Sequence, residues 1–424
     1  MHSHNNNTSL YPQSRFPYAA PMSRMKLNVL LLSGCQALMM TANSLLVTVS
    51  ALVGFQLATD KTLATLPFAV QLFATMMLAI PASLLMRRIG RKRGFMIGVT
   101  IGLAGAALAM VAIAHRNFVL FTGSVGLVGA FNGFGIYYRF AAADVATEAW
   151  RSRAVSYVMA GGVIAALAGP NLARWTVDLV PATKFAGSFG GMMLLYVLSF
   201  ALLSVVRIPP DQEEVSGVAR PLAEIARQPR FLVALVVGAV GYGTMVLVMT
   251  ATPLAMQSHH HSFTDTTFVI QWHVLGMFAP SFVTGYLITR FGVMRIMLAG
   301  ALMTLACVLT NLTGTEITYF WIALFLLGTG WNFMFIGATT LLTTTYQAAE
   351  KAKTQALNDF IVFSVVALSS LSSGALLHYL GWQAVNVAVI PLLLLATATT
   401  LWQCLVVKRE PVTADATLTR EVDI

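Results

Sequence analysis

Apolar residues along this chain come in runs of about 20 or more, the length that crosses a bilayer as a helix. Such runs lie at 27–57, 62–86, 94–114, 118–140, 154–175 and 186–207. Six more follow at 231–257, 266–289, 293–312, 317–345, 354–378 and 382–407. Between the two sets stands a polar segment, IPPDQEEVSGVARPLAEIARQPR, at 208–230. The pattern predicts an all-α membrane protein with twelve transmembrane helices in two six-helix lobes. Its parts are a disordered cytoplasmic tail over 1–25, an N-terminal lobe over 26–207, a cytoplasmic linker over 208–230, a C-terminal lobe over 231–408 and a second cytoplasmic tail over 409–424. The first tail lacks the apolar core and cleavage site of a signal peptide.

Composition agrees with this layout. Of 424 residues, 57% are hydrophobic and 10% charged, and the mean hydropathy is +0.75. A soluble domain does not reach those values. The net charge of +10 is not a nucleic-acid footprint, because the cations sit in short turns between spans. Arg87, Arg88, Arg91, Lys92 and Arg93 crowd one turn, and Arg290 and Arg295 flank its counterpart. By the positive-inside rule both termini are expected in the cytoplasm, with the chain in a bacterial inner membrane. The lipid bilayer is the expected partner, and nucleic acid is not. Cys35, Cys307 and Cys404 fall in separate spans with no paired spacing, which argues against a disulfide framework.

The two halves are repeats. Arg88, Gly90, Arg93 and Gly98 are matched by Arg290, Gly292, Arg295 and Gly300, each 202 residues later, and Glu148 is matched by Glu350 at the same offset. A constant register implies two lobes about a pseudo-two-fold axis.

The chemically distinctive stretch joins the seventh and eighth spans. Met245 and Met249 stand four apart on one helix face, and His273 and Met277 repeat that spacing on the next. Counted inward from the turn, the set falls at two levels, about 10 Å and about 16 Å deep. Three thioethers and an imidazole form a soft donor set of the kind that selects Cu(I), and an imidazole inside a span is usually functional. Met256 with His259, His260 and His261 stands in the outer turn as an expected capture point. Packing of the methionines, and a helix-to-helix hydrogen bond from His273, remain alternatives on the residues alone. The repeat maps Met245 onto Asn43 and His273 onto Gln71, so these two polar residues are expected to face the central cavity from the other lobe.

The turn SLLMRRIGRKRGF (83–95) resembles the signature G-x-x-x-D-R-x-G-R-K/R of the major facilitator superfamily, and TGYLITRFGVMR (284–295) is its weaker copy. The chain departs from it at Ala82, which replaces the usual Gly, and at Met86 and Thr289, which replace the usual Asp. Asp144, Glu148 or Asp359 is then expected to partner the gate cations Arg87, Arg88 and Arg91 beside Gly90, and Arg290 and Arg295 in the second copy. Within the superfamily, M-x-x-x-M followed by H-x-x-x-M resembles the CcoA-like copper importers, which serve assembly of cbb3-type cytochrome c oxidase. That resemblance implies a secondary active copper importer with Met245, Met249, His273 and Met277 as the metal residues. Copper would be the substrate, no cofactor is expected, and a cytoplasmic copper chaperone or copper ATPase would be the acceptor.

Other readings stay open. An importer of riboflavin or another small aromatic metabolite would use Trp272, Trp331, Tyr137 and Tyr138 for stacking. A drug or siderophore exporter would share the same architecture. No Ser/His/Asp set, phosphate loop or catalytic carboxylate pair is apparent, so an enzyme is not expected.

Overall fold

The computed structural model describes residues 22–181, 183–208 and 220–407. Residues 1–21 of the expected tail, part of the linker (209–219) and residues 408–424 lie outside that set. The first half comprises α1 (Met22–Leu57), α2 (Leu66–Ile89), α3 (Arg91–Ala114), α4 (Phe118–Gly135), α5 (Tyr138–Val145), α6 (Glu148–Thr176) and α7 (Ala186–Val205). A short α8 (Leu222–Ala226) precedes the second half. That half comprises α9 (Pro229–Ser258), α10 (Phe263–Phe278), α11 (Ser281–Phe291), α12 (Val293–Thr313), α13 (Ile317–Thr343), α14 (Lys351–Val387) and α15 (Val389–Val407). Residues 22–25, expected in the tail, belong instead to the first turn of α1.

Among the described residues, nine helical stretches are long and apolar enough to cross a membrane, and the bent pair α10–α11 makes ten. One of the nine, Lys353–Cys404, runs for 52 residues, more than twice what a bilayer core needs. It breaks at Gly381, where φ is +80°, and so supplies two spans. With α6 the twelve-helix layout is complete. Spans four and eight are each built from two helices. In the eighth, Pro280 lacks an N–H and the axis turns by 41°. Pro280 thus gives no bond to the Gly276 carbonyl, and at the break the Met277 carbonyl is taken by Asn332 Nδ2 of α13 at 2.7 Å, while Asn332 Oδ1 accepts from Thr284 Oγ1 at 2.6 Å. An unpaired carbonyl inside a bilayer costs several kcal/mol, so this cap makes the kink tolerable.

The repeat is visible in backbone geometry. Gly90 has φ 87° and ψ 146°, and Gly292 has φ 87° and ψ 147°. Both occupy the left-handed region that favours glycine, at matching points of the two basic turns. The same symmetry appears in packing. A Cβ on Gly129 would lie 2.2 Å from the carbonyl oxygen of Gln71, and one on Gly328 would lie 2.3 Å from that of His273. Gln71 and His273 are thus equivalent positions, each with a glycine of the facing helix laid against its backbone.

Two apolar cores form, one per lobe, and the lobes share side chains along one half of the molecule. Leu254 is buried in the first core, and Phe68 in the second. Thr65 Oγ1 reaches the carbonyl of Leu371 at 3.4 Å, and the rings of Phe185 and Phe263 meet at 5.5 Å. All of these lie toward the 58–65 and 259–262 turns. Toward the basic turns, Arg139 and Asp359 are exposed, as is Phe360. The molecule is therefore closed at the face of the 58–65 and 259–262 turns. Large apolar side chains such as Val119, Trp175, Leu194 and Leu302 cover the perimeter, the surface that lipid would solvate.

Candidate functional site

The seventh and eighth spans do not form a tight hairpin. α9 packs chiefly against α14 and next against α13, α10 packs chiefly against α13, and the direct contact between α9 and α10 is slight. Met245, Met249 and Met277 are buried in the apolar core of the C-terminal lobe. His273 is fully buried, with Nδ1 2.8 Å from the carbonyl of Leu324. A carbonyl only accepts, so Nδ1 carries the proton and Nε2 is left as a bare acceptor. That atom is buried with no partner. In the outer turn His261 Nε2 lies 2.7 Å from Thr315 O. His259 and His261 both rest against Phe320, with ring centroids 6.5 and 5.7 Å away. Met256 is fully buried beneath them.

Across the molecule, Asn43 of α1, Gln71 of α2 and Asn132 of α4 join in one polar cluster. Asn43 and Asn132 exchange amide hydrogen bonds of 3.2 and 2.8 Å, and Gln71 Nε2 donates to Asn43 Oδ1 at 3.0 Å. Asn132 is the member that sequence reasoning missed. Its only signal was an Asn inside an otherwise apolar, glycine-rich span. Val47, one turn beyond Asn43, packs against the other lobe's core, as does Leu72 beside Gln71. The cluster therefore borders the seam where the lobes meet.

The C-terminal lobe holds an aromatic cluster drawn from four helices. Trp331 and Phe335 stack at 5.1 Å with planes 10° apart. Tyr242 meets Trp331, Phe335 and Phe363 edge-on at 5.4, 5.3 and 5.8 Å, and Phe278 approaches Trp331 at 6.3 Å. Phe278 extends onto Gly162 of the other lobe, where a Cβ would lie 2.6 Å from its ring. Trp331 Nε1 is buried without a partner. Of the four aromatics expected to stack a ligand, Trp331 is in this cluster. Trp272 instead joins Phe268, Trp321 and Phe325, a group whose outer members Phe268 and Phe325 are exposed. Tyr138 is sealed against Phe95 in the N-terminal core. Tyr137 belongs to the basic face, where its hydroxyl donates to Ala79 O at 3.0 Å.

That face holds a cavity of about 260 Å³ lined by Ser83, Met86, Arg87, Arg91, Tyr137, Phe140 and Asp144. Arg91 and Asp144 form an ion pair there. It joins α3 to α5 inside one lobe and does not bridge the two. The side chain of Glu148 is outside the described residues. Arg290 donates to the Tyr286 hydroxyl at 2.8 Å, Arg88 and Arg295 are exposed, and Asp359 accepts from Asn358 at 3.0 Å. In the second lobe the buried carboxylate is Glu350, bound at 2.7 Å by both Nε and Nη2 of Arg220. The Arg220 guanidinium and the backbone N–H of Gln347 hold the Glu350 carboxyl down at about 2.

Comparison with known proteins settles the family. The sequence model described as Major Facilitator Superfamily matches residues 32–270 and 238–422. The chain belongs to that superfamily. Among solved structures, this facilitator covers 90% of its length against an auto-inhibited POT family peptide transporter, with a TM-score of 0.63 at 12% identity over 97% of that chain. Against the transporter FucP in its outward conformation the TM-score is 0.59 at 15% identity, covering 90% of this chain and 99% of that one. Both likenesses concern the fold.

Among sequences, the facilitator is 40% identical over 371 residues to the riboflavin transporter RfnT of Brucella anthropi, spanning 87% of this chain and 93% of that protein. It is 31% identical over 349 residues to the uncharacterized MFS-type transporter YdeG of Bacillus subtilis, covering 78% of this chain and 80% of that one. This overturns the copper-import reading: the similarity runs through both lobes to a protein named for riboflavin. A four-residue spacing on two spans was too small a feature to set against that likeness. Methionine is also an ordinary filler of apolar cores, and that is where the three methionines lie. What stands is a multi-pass membrane transporter of the superfamily.

Proposed function

We propose that this facilitator imports riboflavin, or a close flavin relative, across the bacterial inner membrane. The observation that carries the reading is the 40% identity, along both lobes, to the riboflavin transporter RfnT. The site chemistry supports it. Riboflavin is a flat three-ring system with an apolar dimethylbenzene end, a polar pyrimidine edge and a flexible polyol. Tyr242, Trp331, Phe335 and Phe363 offer rings for the flat faces, and such contacts are worth about 0.5–1.5 kcal/mol each beyond area burial. Asn43, Gln71 and Asn132 offer amides for the polar edge. Access alternates as the lobes rock about the seam, with the closed face outside and the basic turns in the cytoplasm.

The test is uptake of labelled riboflavin into a riboflavin auxotroph lacking its own importer. Expression of this chain should restore growth at low riboflavin and concentrate the label. Absence of both, with the protein inserted and abundant, would overturn the reading.

A further inference from the structure

The Asn43–Gln71–Asn132 cluster is built with one atom left over. Asn43 Oδ1 accepts from both Gln71 Nε2 and Asn132 Nδ2, and Asn43 Nδ2 returns a bond to Asn132 Oδ1. With Nε2 of Gln71 committed to Asn43, its Oε1 is the remaining acceptor. Gln71 is 3% exposed, and Oε1 is buried with no hydrogen-bond partner. A buried amide oxygen is costly to leave without a donor. The residue itself is held firmly. Thr75 Oγ1 bonds the Gln71 carbonyl at 2.9 Å and Gly129 O at 3.0 Å, and Gly129 lies against the Gln71 backbone. The acceptor is therefore positioned by two neighbouring helices.

Its surroundings indicate when it would be used. Phe68, one turn earlier on α2, is buried in the C-terminal core, and Leu72, the next residue, packs against that core. Gln71, covered in this conformer, therefore lies at the level where α2 meets the C-terminal lobe. Parting the closed face would uncover the amide while Asn43 and Asn132 still hold it. The aromatic rings that would take a flat ligand's faces belong to the opposite lobe, which turns the ligand's edge toward α2.

From this geometry we infer that Gln71 Oε1 accepts a hydrogen bond from the ring N–H of the flavin pyrimidine, making Gln71 a specificity-determining residue for an imide-bearing substrate. The inference rests on the riboflavin reading and deepens it. A site built around a buried acceptor rejects a ligand that lacks the matching donor far more strongly than one that differs by a methylene in an apolar pocket. The ring N–H lies between two carbonyls, and methylation there removes the donor while leaving the ring system and polyol unchanged.

The experiment is competition for labelled riboflavin uptake by unlabelled riboflavin and by 3-methylriboflavin. It compares wild type with Gln71→Met, which keeps the length and loses the amide. In wild type the methylated compound should compete about 10-fold or more less well, the loss expected for one buried hydrogen bond. In Gln71→Met, riboflavin itself should weaken by a similar factor, and the two compounds should compete within about twofold of each other. A merely structural role for Gln71 would lower both and preserve their ratio. Equal competition in wild type overturns the inference while leaving riboflavin import intact, as does a ratio unchanged in Gln71→Met. Should that variant fail to insert, the wild-type ratio still decides, and Gln71→Asn, which draws the acceptor back by one methylene, should shrink it. No uptake of riboflavin by wild type would instead remove the reading on which the inference stands.

Discussion

At the scale of single residues, the aromatic and sulfur side chains divide by surroundings. Trp331 is stacked on Phe335 and carries an unpaired indole N–H, so it brings both a ring and a hydrogen-bond donor to the cluster. Trp331→Ala should raise the riboflavin concentration for half-maximal uptake about 10-fold or more, while Trp331→Phe should lose less, as read from initial uptake rates. Met245 and Met249 lie in a core of apolar partners. Their exchange for Leu keeps the volume and should cost less than about 1.5 kcal/mol, leaving riboflavin uptake and melting temperature near wild type. A loss of transport with protein level unchanged would show that the sulfur atoms act directly.

At the scale of elements, two polar fastenings hold the C-terminal lobe. The kink between α10 and α11 depends on Asn332, which bonds Met277 O, Ser281 Oγ and Thr284 Oγ1. Asn332→Leu strands the Met277 carbonyl, while Thr284 Oγ1 keeps the Pro280 carbonyl, and should destabilise the protein by about 1–3 kcal/mol, seen as a lower melting temperature in detergent. The other fastening is Arg220 on Glu350, reinforced by Gln228 Nε2 and Arg220 Nη2 on the Thr345 carbonyl. The Glu350 carboxyl sits at about 2, below its ordinary 4.5. Its stabilisation is therefore full above pH 4.5 and lost as pH falls toward 2. Melting temperature followed over that range should drop in wild type, and Glu350→Gln should remove that component of the fall.

At the scale of the whole molecule, transport requires the closed face to open. Gly374 is pressed against Thr62 and Thr65, where an added Cβ would lie 2.9 Å from Thr62 O and 2.8 Å from Thr65 Oγ1. Cysteines at Thr65 and Gly374, oxidised to a disulfide, should stop uptake, and reduction should restore it. Unimpaired transport by the cross-linked protein would mean that this face does not part. Cys35 and Cys307 are buried and do not compete for the reaction. Orientation is tested separately: a phosphatase fused after Arg409 should be inactive and one inserted in the 258–262 turn active.

The sequence alone determined the parts of this protein that depend on solvent. Runs of apolar residues cannot avoid the bilayer, the cations collect in alternate turns, and a 202-residue register recurs as matching φ values at Gly90 and Gly292. Gln71 and His273 were legible as polar positions inside spans for the same reason, since burying them is costly enough to leave a mark. The tertiary structure decided everything that depends on which helix lies beside which. It set α9 chiefly against α14 and α10 chiefly against α13, so two helices that looked like one hairpin pack mainly on other helices. It brought Asn132, 89 residues distant, onto Asn43. It left Oε1 of Gln71 without a partner and gathered Tyr242, Trp331, Phe335 and Phe363 from three helices into one cluster. Helical periodicity fixes the face of a residue on its own helix, but not the neighbour that face will meet, because that is set by how twelve helices pack together.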